Sequence, residues 1–482
     1  MTWIALFLTM ALAEDVSAIP EEAEQGTAPN RSAPPEVTFT DPFELDAPQI
    51  SQLTDAVTIW HVKVPGVRKV AIDVVIHRGA MDIDDWPTHD AYAMGWAQDV
   101  ATSTMTAEEL EVFCDLTELE LTSSMQLQGG ELSLLAPREN LDIGLQLLED
   151  VLKEPAFPKA DVKRYIRDTL LYYLLDGPNS ANAVANAATT FAWFPDDNPL
   201  GDRPDLKELS RVKQKGLIER HSRWLSQAPM TVLIVGDVDL EEIRPRLTEV
   251  FADVGQGGDR NPEPEVVLPD SAIIAIDMGD NSQSMLQLRM SGPLLEDPQR
   301  TVAEVVNFNL GGNFLSRLNS NLREDKGYTY GARSSYLAWH KRAHWGVQTE
   351  VLVENTAAAI GEIEKELTGL IEEGLTELEI AAARQSYISD WNETRQTAST
   401  AESMYSLLLH DQLDIQAERQ RLLDMSSVTV EQSKDVANKY FGPGKTRLWV
   451  IAGDKEELSK QFDQLGWTPK WILADEAILG TF

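Results

Sequence analysis

The sequence has very little cysteine and comparatively few cations. Cys114 is the single cysteine among 482 residues, so no intrachain disulfide can form and packing must stabilise the fold. Lys and Arg number 41 against 78 Asp and Glu, which gives a formal net charge of −37. This balance argues against nucleic acid, because phosphate binding needs clustered Lys and Arg, and against anionic lipid. Cationic peptides and basic proteins stay compatible with it.

Cys114 is a candidate nucleophile only if a histidine lies beside it. The segment around it, which begins at Ala107, predicts a helix with Leu110, Phe113 and Cys114 on one face. Free cysteine behaves as a small buried hydrophobe. We therefore expect Cys114 to pack in a core.

Long apolar runs are also absent. Residues 3–13 are apolar and end in Ala-Leu-Ala, which favours a signal peptide over 1–13; a membrane span needs about 20 apolar residues. Residues 14–48 carry nine acidic side chains, six prolines and Arg31 as the sole cation, which predicts a disordered leader. No cysteine follows the apolar run, which excludes a lipoprotein anchor. We expect an exported protein, periplasmic or secreted, without a stable membrane anchor.

The rest of the chain consists of two halves with the same order of predicted elements, which indicates an internal duplication. A linker at 255–265 separates a first half, 49–254, from a second half, 266–470, with a tail at 471–482. Each half contains an alternating strand, an amphipathic helix and a buried strand that ends in Gly-Asp, at Gly236 and again 217 residues later at Gly453. This order predicts the α+β class, with a mostly antiparallel sheet in each half and helices packed on one of its faces.

The motifs of several enzyme classes are missing. There is no G-x-S-x-G elbow, no phosphate-binding P-loop and no H-E-x-x-H pair. His340 and His344 have a four-residue spacing but flank a strand, so we interpret them as structural. The acidic loop from Met81 to Asp90 is the best remaining place for Ca²⁺, yet it lacks EF-hand spacing and glycine. A solvated acidic loop is the favoured interpretation.

One segment of the second half carries a specific signature: Leu310-Gly-Gly-Asn-Phe-Leu-Ser-Arg317-Leu, followed by Leu322-Arg323-Glu-Asp-Lys-Gly327-Tyr-Thr-Tyr330. It resembles the C-terminal domain of the pitrilysin/insulinase family of zinc metallopeptidases, and the resemblance covers roughly residues 50–465. The resemblance implies two homologous domains arranged as a clamshell, and zinc endopeptidase activity in the active members.

Active members of this family hold zinc with H-x-x-E-H on a helix and a more distant Glu. In the matching stretch the three motif positions are Met94, Ala97 and Gln98, or Gln98, Ala101 and Thr102 in a register that starts at Gly95. Neither register supplies an imidazole or a general base, and 167–178 has no Glu. We therefore expect no metal or other cofactor in this chain, with zinc only in a partner subunit.

The substrate side of the signature is retained. The family binds the peptide backbone and stabilises the oxyanion with an Arg and a Tyr seven residues apart, which Arg323 and Tyr330 match. Tyr328 is a secondary candidate, and Gly311 and Gly312 are expected to permit a tight turn. The alternative is that Arg323 pairs with an adjacent carboxylate and Tyr330 fills a core.

The resemblance implies that the zinc site and the substrate-binding residues belong to two different subunits. In heterodimeric members one subunit carries zinc and the other carries the Arg/Tyr pair, so this chain resembles the non-catalytic subunit. It would pair with a zinc-bearing sibling, or form a homodimer, and act on peptides that include cationic ones. A peptide-binding or scaffold protein of the cell envelope is the alternative, and an autonomous peptidase with a rearranged metal site is a third.

Overall fold

The computed structural model describes residues 42, 44–80, 88–126, 129–194, 198–255, 264–394 and 396–482. The predicted signal peptide, the leader up to residue 41 and most of the acidic loop, 81–87, lie outside the described residues. Within the described part, no helix is both long enough and apolar enough to cross a membrane.

The first half forms a six-stranded mixed sheet. Its strands are β1 (Gln49–Thr54), β2 (Val57–Lys63), β3 (Lys69–Ile76), β4 (Glu120–Met125), β5 (Gly130–Pro137) and β6 (Met230–Gly236). They lie in the order β1-β2-β6-β3-β5-β4, and β2–β6 is the parallel pair. The remaining neighbours are antiparallel, as the sequence predicted.

The second half repeats this order. Its strands are β7 (Ala272–Asp277), β8 (Gln283–Ser291), β9 (Ala332–Ala338), β10 (Ala343–Leu352), β11 (Arg447–Gly453) and β12 (Lys470–Leu473). They lie in the order β12-β7-β11-β8-β10-β9. The central strands β6 and β11 begin 217 residues apart, the offset read from the sequence. The outer strand differs, because β12 comes from the end of the chain and runs parallel to β7.

Helices surround both sheets. Those of the first half are α1 (Thr88–Ala97), α2 (Ala107–Thr117), α3 (Leu141–Lys153), α4 (Lys159–Leu171), α5 (Ala181–Trp193), α6 (Leu206–Leu209), α7 (Gln214–Gln227) and α8 (Leu240–Val250). Those of the second half are α9 (Arg300–Asn307), α10 (Arg317–Asn319), α11 (Thr356–Glu372), α12 (Glu377–Glu393), α13 (Ala398–His410), α14 (Ile415–Asp424), α15 (Val430–Phe441), α16 (Lys455–Leu465) and α17 (Ala474–Leu479). The helices predicted from the Leu141 and Ile360 patterns are α3 and α11.

Each sheet packs its own helices on one face. In the first half, Val70, Ile72 and Val74 of β3 join a core with buried side chains of α1, α3, α7 and α8. In the second half, Leu286 and Leu288 of β8 join a core with side chains of α9, α11 and α15. Burial of these alternating side chains is the main stabilising contribution.

The opposite face of each sheet is covered by a helix from the other half. Helix α13 of the second half packs on β3 and β6, where Tyr405 and Leu408 join Ala71 and Val235. Helix α5 of the first half packs on β8 and β11, where Val184 joins Val450 and neighbours. The sequence prediction included one helical face only. Strand β6, which is buried along its whole length, is the signal of two covered faces.

Two segments predicted to lie outside the halves belong to the fold. Leu45, from the predicted leader, is buried against the second half, and the carbonyl of Asp46 accepts a hydrogen bond from the Tyr405 hydroxyl (2.7 Å). The predicted tail supplies most of β12 and all of α17, and Ile478 is buried against α5. A lone apolar side chain in an otherwise polar stretch is a weak sequence signal, which explains the difference at Leu45. The tail is mostly apolar, and this composition is consistent with its burial.

Candidate functional site

The predicted positions of the lost zinc motif lie at the end of α1, at Met94 and Ala97, and in the turn that follows, at Gln98, and all three are buried in the first half. Met94 and Ala97 are fully buried and Gln98 is 3% exposed. Helix α1 packs closely on β4, since a Cβ atom on Gly95 would stand 2.5 Å from the backbone nitrogen of Met125. The alternative positions, Ala101 and Thr102, are buried as well.

His221 of α7 brings an imidazole beside Gln98, and sequence reasoning missed this contact because the two residues are 123 positions apart. Its Nε2 is 3.4 Å from Gln98 Nε2, and its ring packs against Phe157 and Trp224. Burial lowers the pKa of His221 to about 4, so the ring is neutral at neutral pH. One imidazole and one amide in an apolar core do not fit a zinc site, which needs three protein ligands and an open position.

A second cluster joins the two halves on the other face of the first sheet. Asp73 of β3, Glu131 of β5 and Glu402 of α13 place carboxylate oxygens within 4.8 Å of one another. Among the described residues this is the one group of three or more side chains with metal-ligand spacing. Its oxygens suit a hard cation such as Ca²⁺ or a shared proton.

Protonation relieves the repulsion in this cluster. Burial, reinforced by the carboxyls of Glu402 and Glu131, raises the pKa of Asp73 to about 9. Asp73 is 1% exposed, and its Oδ2 has no hydrogen-bond partner. A hydrogen bond with His410 instead lowers the pKa of Glu131, which also accepts from Ser406 (3.3 Å). The arrangement is therefore a neutral Asp73 beside an ionised Glu131, without any need for a metal.

The retained Arg/Tyr pair lies on the surface of the second half. Arg323 is in a π-helical turn, Ser320–Asp325, where its guanidinium lies 4.5 Å from the centre of the Phe314 ring and pairs with Glu324 (3.4 Å). Tyr330 is 94% exposed, just before β9. The ion pair expected under the alternative interpretation is thus present, but Tyr330 does not fill a core.

A tight turn separates the two side chains. Gly327 has φ +65°, a left-handed conformation that glycine adopts without strain, and its N–H donates to the Arg323 carbonyl (3.2 Å). Beyond the turn, the N–H of Ala332 donates to Asn319 Oδ1 (3.1 Å), which fixes the start of β9. Tyr328 packs against the core of the second half, so of the two tyrosines Tyr330 is the accessible one.

Gly311 and Gly312 have a different role from the predicted turn. They end a π-helical segment, Phe308–Gly312, that lies directly on β9. A Cβ atom on Gly311 would stand 2.2 Å from the backbone nitrogen of Ser334, so only glycine permits this contact. Arg317 of the same signature binds Glu379 with two hydrogen bonds, of 2.6 and 2.7 Å. These parts of the signature support the fold around Arg323.

The other sequence candidates have structural surroundings. His344 lies within β10, and His340, in the turn before it, contacts Glu296 and the carbonyl of Asp411. Their backbone is not helical, so the four-residue spacing does not bring them to one metal. Cys114 lies on α2 and packs, half-buried, against the core of the first half.

Comparisons with known proteins agree with these observations. A sequence model of the peptidase M16 inactive domain matches residues 211–387, which include Arg323 and Tyr330. An uncharacterized zinc protease of Mycobacterium leprae is 23% identical over 342 residues, 67% of this chain and 73% of that protein. The non-peptidase homolog YmxG of Helicobacter pylori is 23% identical over 271 residues, 55% of this chain and 60% of that protein. The chain is therefore similar to the pitrilysin/insulinase (M16) peptidases, most specifically over residues 211–387, which match the inactive-domain model.

Solved structures share the M16 fold. A peptidase M16 inactive domain from Pseudomonas fluorescens has a TM-score of 0.75 at 16% identity and covers 85% of this chain and 98% of that one. The periplasmic protease PqqL from Escherichia coli has a TM-score of 0.69 at 12% identity, over 88% of this chain and 49% of PqqL. This chain therefore spans about half the length of PqqL.

These findings confirm the predicted family and fold class. The inactive-domain match and the non-peptidase relative also support the prediction that the chain is not catalytic alone.

Proposed function

We propose that this chain is the non-catalytic subunit of a two-chain M16 peptidase, in which a zinc-bearing sibling performs the hydrolysis. The supporting observation is an asymmetry between the halves. The metal positions of the first half are closed in an apolar core at Met94, whereas Tyr330 of the second half is accessible to solvent. Selection for folding alone does not require an exposed aromatic side chain at that position.

The length of PqqL supports a second copy of the fold. PqqL contains this fold in about half of its length, so its other half has room for a second copy. For this chain, a zinc-bearing sibling or a second copy of itself could supply it, and the lost motif favours the sibling.

The chemistry assigned to the chain is substrate binding in trans. Arg323 offers a planar set of N–H donors, and Phe314 supports its guanidinium from one side. Tyr330 adds one directed O–H donor. Donors of this kind are effective where negative charge develops on a scissile carbonyl oxygen. Zinc and the general base would belong to the sibling.

The test is a peptidase assay on the complex of this chain with a sibling that carries H-x-x-E-H. Arg323→Gln and Tyr330→Phe should each lower kcat/KM by about 100-fold, the loss typical of an oxyanion donor. Both complexes should still assemble. Tyr328→Phe, which keeps the packed ring, is the matched control and should leave kcat/KM unchanged. Full activity in the Arg323 and Tyr330 variants would refute the assigned role.

Cellular location and partner are part of the same proposal. Export to a periplasm is supported by the apolar run at 3–13, which favours a signal peptide. Purification from the native host should recover the sibling with zinc in a one-to-one complex. Recovery of peptides with the chain, and of no zinc protein, would favour the peptide-binding or scaffold alternative.

A further inference from the structure

Beside α5, the second sheet has a cavity of about 340 Å³ with an unusual charge. Arg289 of β8 and Arg333 of β9 bring guanidinium groups to its wall, and His344 of β10 brings an imidazole. None of the described residues that line the cavity is acidic. The chain as a whole carries a net charge of −37, so the cavity is cationic within a strongly anionic protein.

Strand register explains why there is space at this place. On the face that carries α5, Arg289 is opposite Gly346, and Gly346 is opposite Ser335. Gly346 has no side chain to occupy the floor between them, and Ser335 Oγ lies 3.1 Å from where its Cβ atom would stand. The floor therefore combines free space with a hydroxyl group.

Arg289 is the half-buried cation of this cavity, and its Nε has no hydrogen-bond partner. Nδ1 of His344 also has no partner, but burial lowers the pKa of His344 to about 3, so this ring is neutral at neutral pH. Burial alone lowers the pKa of Arg289, to about 10, so the group is charged at neutral pH and no carboxylate supports it. Arg289 has one aromatic contact, with the Trp193 ring at 6.0 Å. A half-buried cation without a carboxylate partner is unfavourable, and an anion in the cavity would relieve this cost.

Hydrogen bonds hold in place the wall of the cavity that α5 forms. Thr189 of α5 donates to Gln287 Oε1 (2.8 Å), and Gln287 Nε2 donates to Asn186 Oδ1 (2.6 Å). These bonds hold α5 against β8, so the wall opposite Arg333 is preformed. A preformed polar site loses little entropy when a ligand binds.

We propose that this cavity binds a carboxylate group, presented by an acidic side chain or by the free C-terminus of a peptide. Two guanidinium groups and a hydroxyl suit a planar carboxylate. Guanidinium groups also bind phosphate, but the backbone N–H groups that often complete a phosphate site are not free here, since the β8, β9 and β10 backbones are paired in the sheet. The cavity volume fits a small ligand group. The cavity is formed by this chain alone, so the carboxylate would bind without a catalytic partner.

Isothermal titration of the isolated full chain tests the proposal with three small probes. N-acetyl-glutamate amide presents a side-chain carboxylate, N-acetyl-glycyl-glycine presents a terminal one, and N-acetyl-glutamine amide presents neither. One or both carboxylate probes should bind saturably below about 10 mM, and the glutamine probe should not. Which carboxylate probe binds more tightly identifies the source of the group.

Substitutions in the cavity then test whether the probes bind there. Arg333→Gln, an exposed position where folding is safe, should weaken the preferred probe by about 10-fold, as expected for one charge-assisted contact. Gly346→Val should abolish binding by filling the floor while leaving the charge unchanged. Arg167→Gln, an exposed arginine of α4, is the matched control and should bind like the unmodified chain. Binding that survives both Arg333→Gln and Gly346→Val, no saturable binding of either carboxylate, or a preference for inorganic phosphate would each overturn the proposal.

Discussion

Asp73 and Glu402 belong to opposite halves of the chain, yet their carboxyl oxygens meet within 4.8 Å on the face of the first sheet that α13 covers. Two ionised carboxylates at that distance and burial would repel strongly. The proton that Asp73 retains removes one of the charges. The contact between the halves at this place therefore depends on pH.

Asp73→Asn should stabilise the protein at alkaline pH. Between about pH 4 and pH 9 the folded state keeps a proton on Asp73 that the unfolded chain releases, so rising pH favours unfolding. Asparagine has a similar size and no charge. We expect the free energy of unfolding in urea to rise by about 1–3 kcal/mol at pH 8 and to change little at pH 4.

Asp168→Asn is the control for this measurement, because Asp168 is exposed and paired with Arg167. It should leave the pH dependence of unfolding unchanged. If Asp73→Asn instead lowered stability at pH 8, Asp73 would be ionised in the folded protein and held there by a cation.

Replacement of a lost metal position by histidine should destabilise the first half. Met94 is fully buried among apolar side chains, so Met94→His would create a cavity and bury an unpaired ring nitrogen. We expect a loss of about 2–4 kcal/mol in chemical denaturation. Trp96→His, on the partly exposed side of α1, loses the ring contacts with Tyr165 and Arg164 and should cost less, about 1 kcal/mol. Equal effects of the two changes would mean that α1 is not closed in the core.

The two tyrosines of the signature should differ in stability. Tyr330→Ala should change the free energy of unfolding by less than about 0.5 kcal/mol, because the side chain is almost wholly exposed. Tyr328→Ala should cost about 2 kcal/mol, since its ring packs against the core of the second half. Thermal denaturation of both variants checks this difference. A large loss for Tyr330→Ala would assign that side chain to folding instead of substrate.

Helices α5 and α13, each of which packs on the sheet of the other half, should make the two halves unfold together. Native-state hydrogen exchange is expected to give similar protection free energies for the amides of β6 and β11. Val184→Asp on α5 introduces a charge between α5 and the second sheet. It should reduce protection in β6 as well as in β11. Loss confined to β11 would show that the halves unfold independently.

Much of the fold was predictable from the sequence because the halves carry the same periodic patterns at one offset. Leu145 and Ile363 lie in the predicted helices, and Val70 and Leu288 lie in the predicted strands. The family signature is similarly local, so its residues around Arg323 could be recognised by spacing alone.

Relationships between distant residues could not be predicted in the same way. Helices α5 and α13 each pack on the sheet of the other half. The local sequence of a helix does not show which sheet face it will cover, so this pairing could not be predicted. The same limit applies to Asp73 and Glu402, to Gln98 and His221, and to the cavity at Arg289. Each of these contacts joins side chains that are far apart in the sequence.

The packing of α13 from the second half on the first sheet also has a consequence for the order in which the chain can fold. The first sheet is complete once Gly236 has emerged, but α13, which covers its second face, ends at His410. At about 5–20 residues per second, synthesis of the intervening 170 or so residues takes roughly 10–30 s. During that time the apolar side chains Ala71, Val75 and Val235 have no partner helix. The first half therefore cannot reach its native packing until the segment that forms α13 is available, and its sheet face stays uncovered until then.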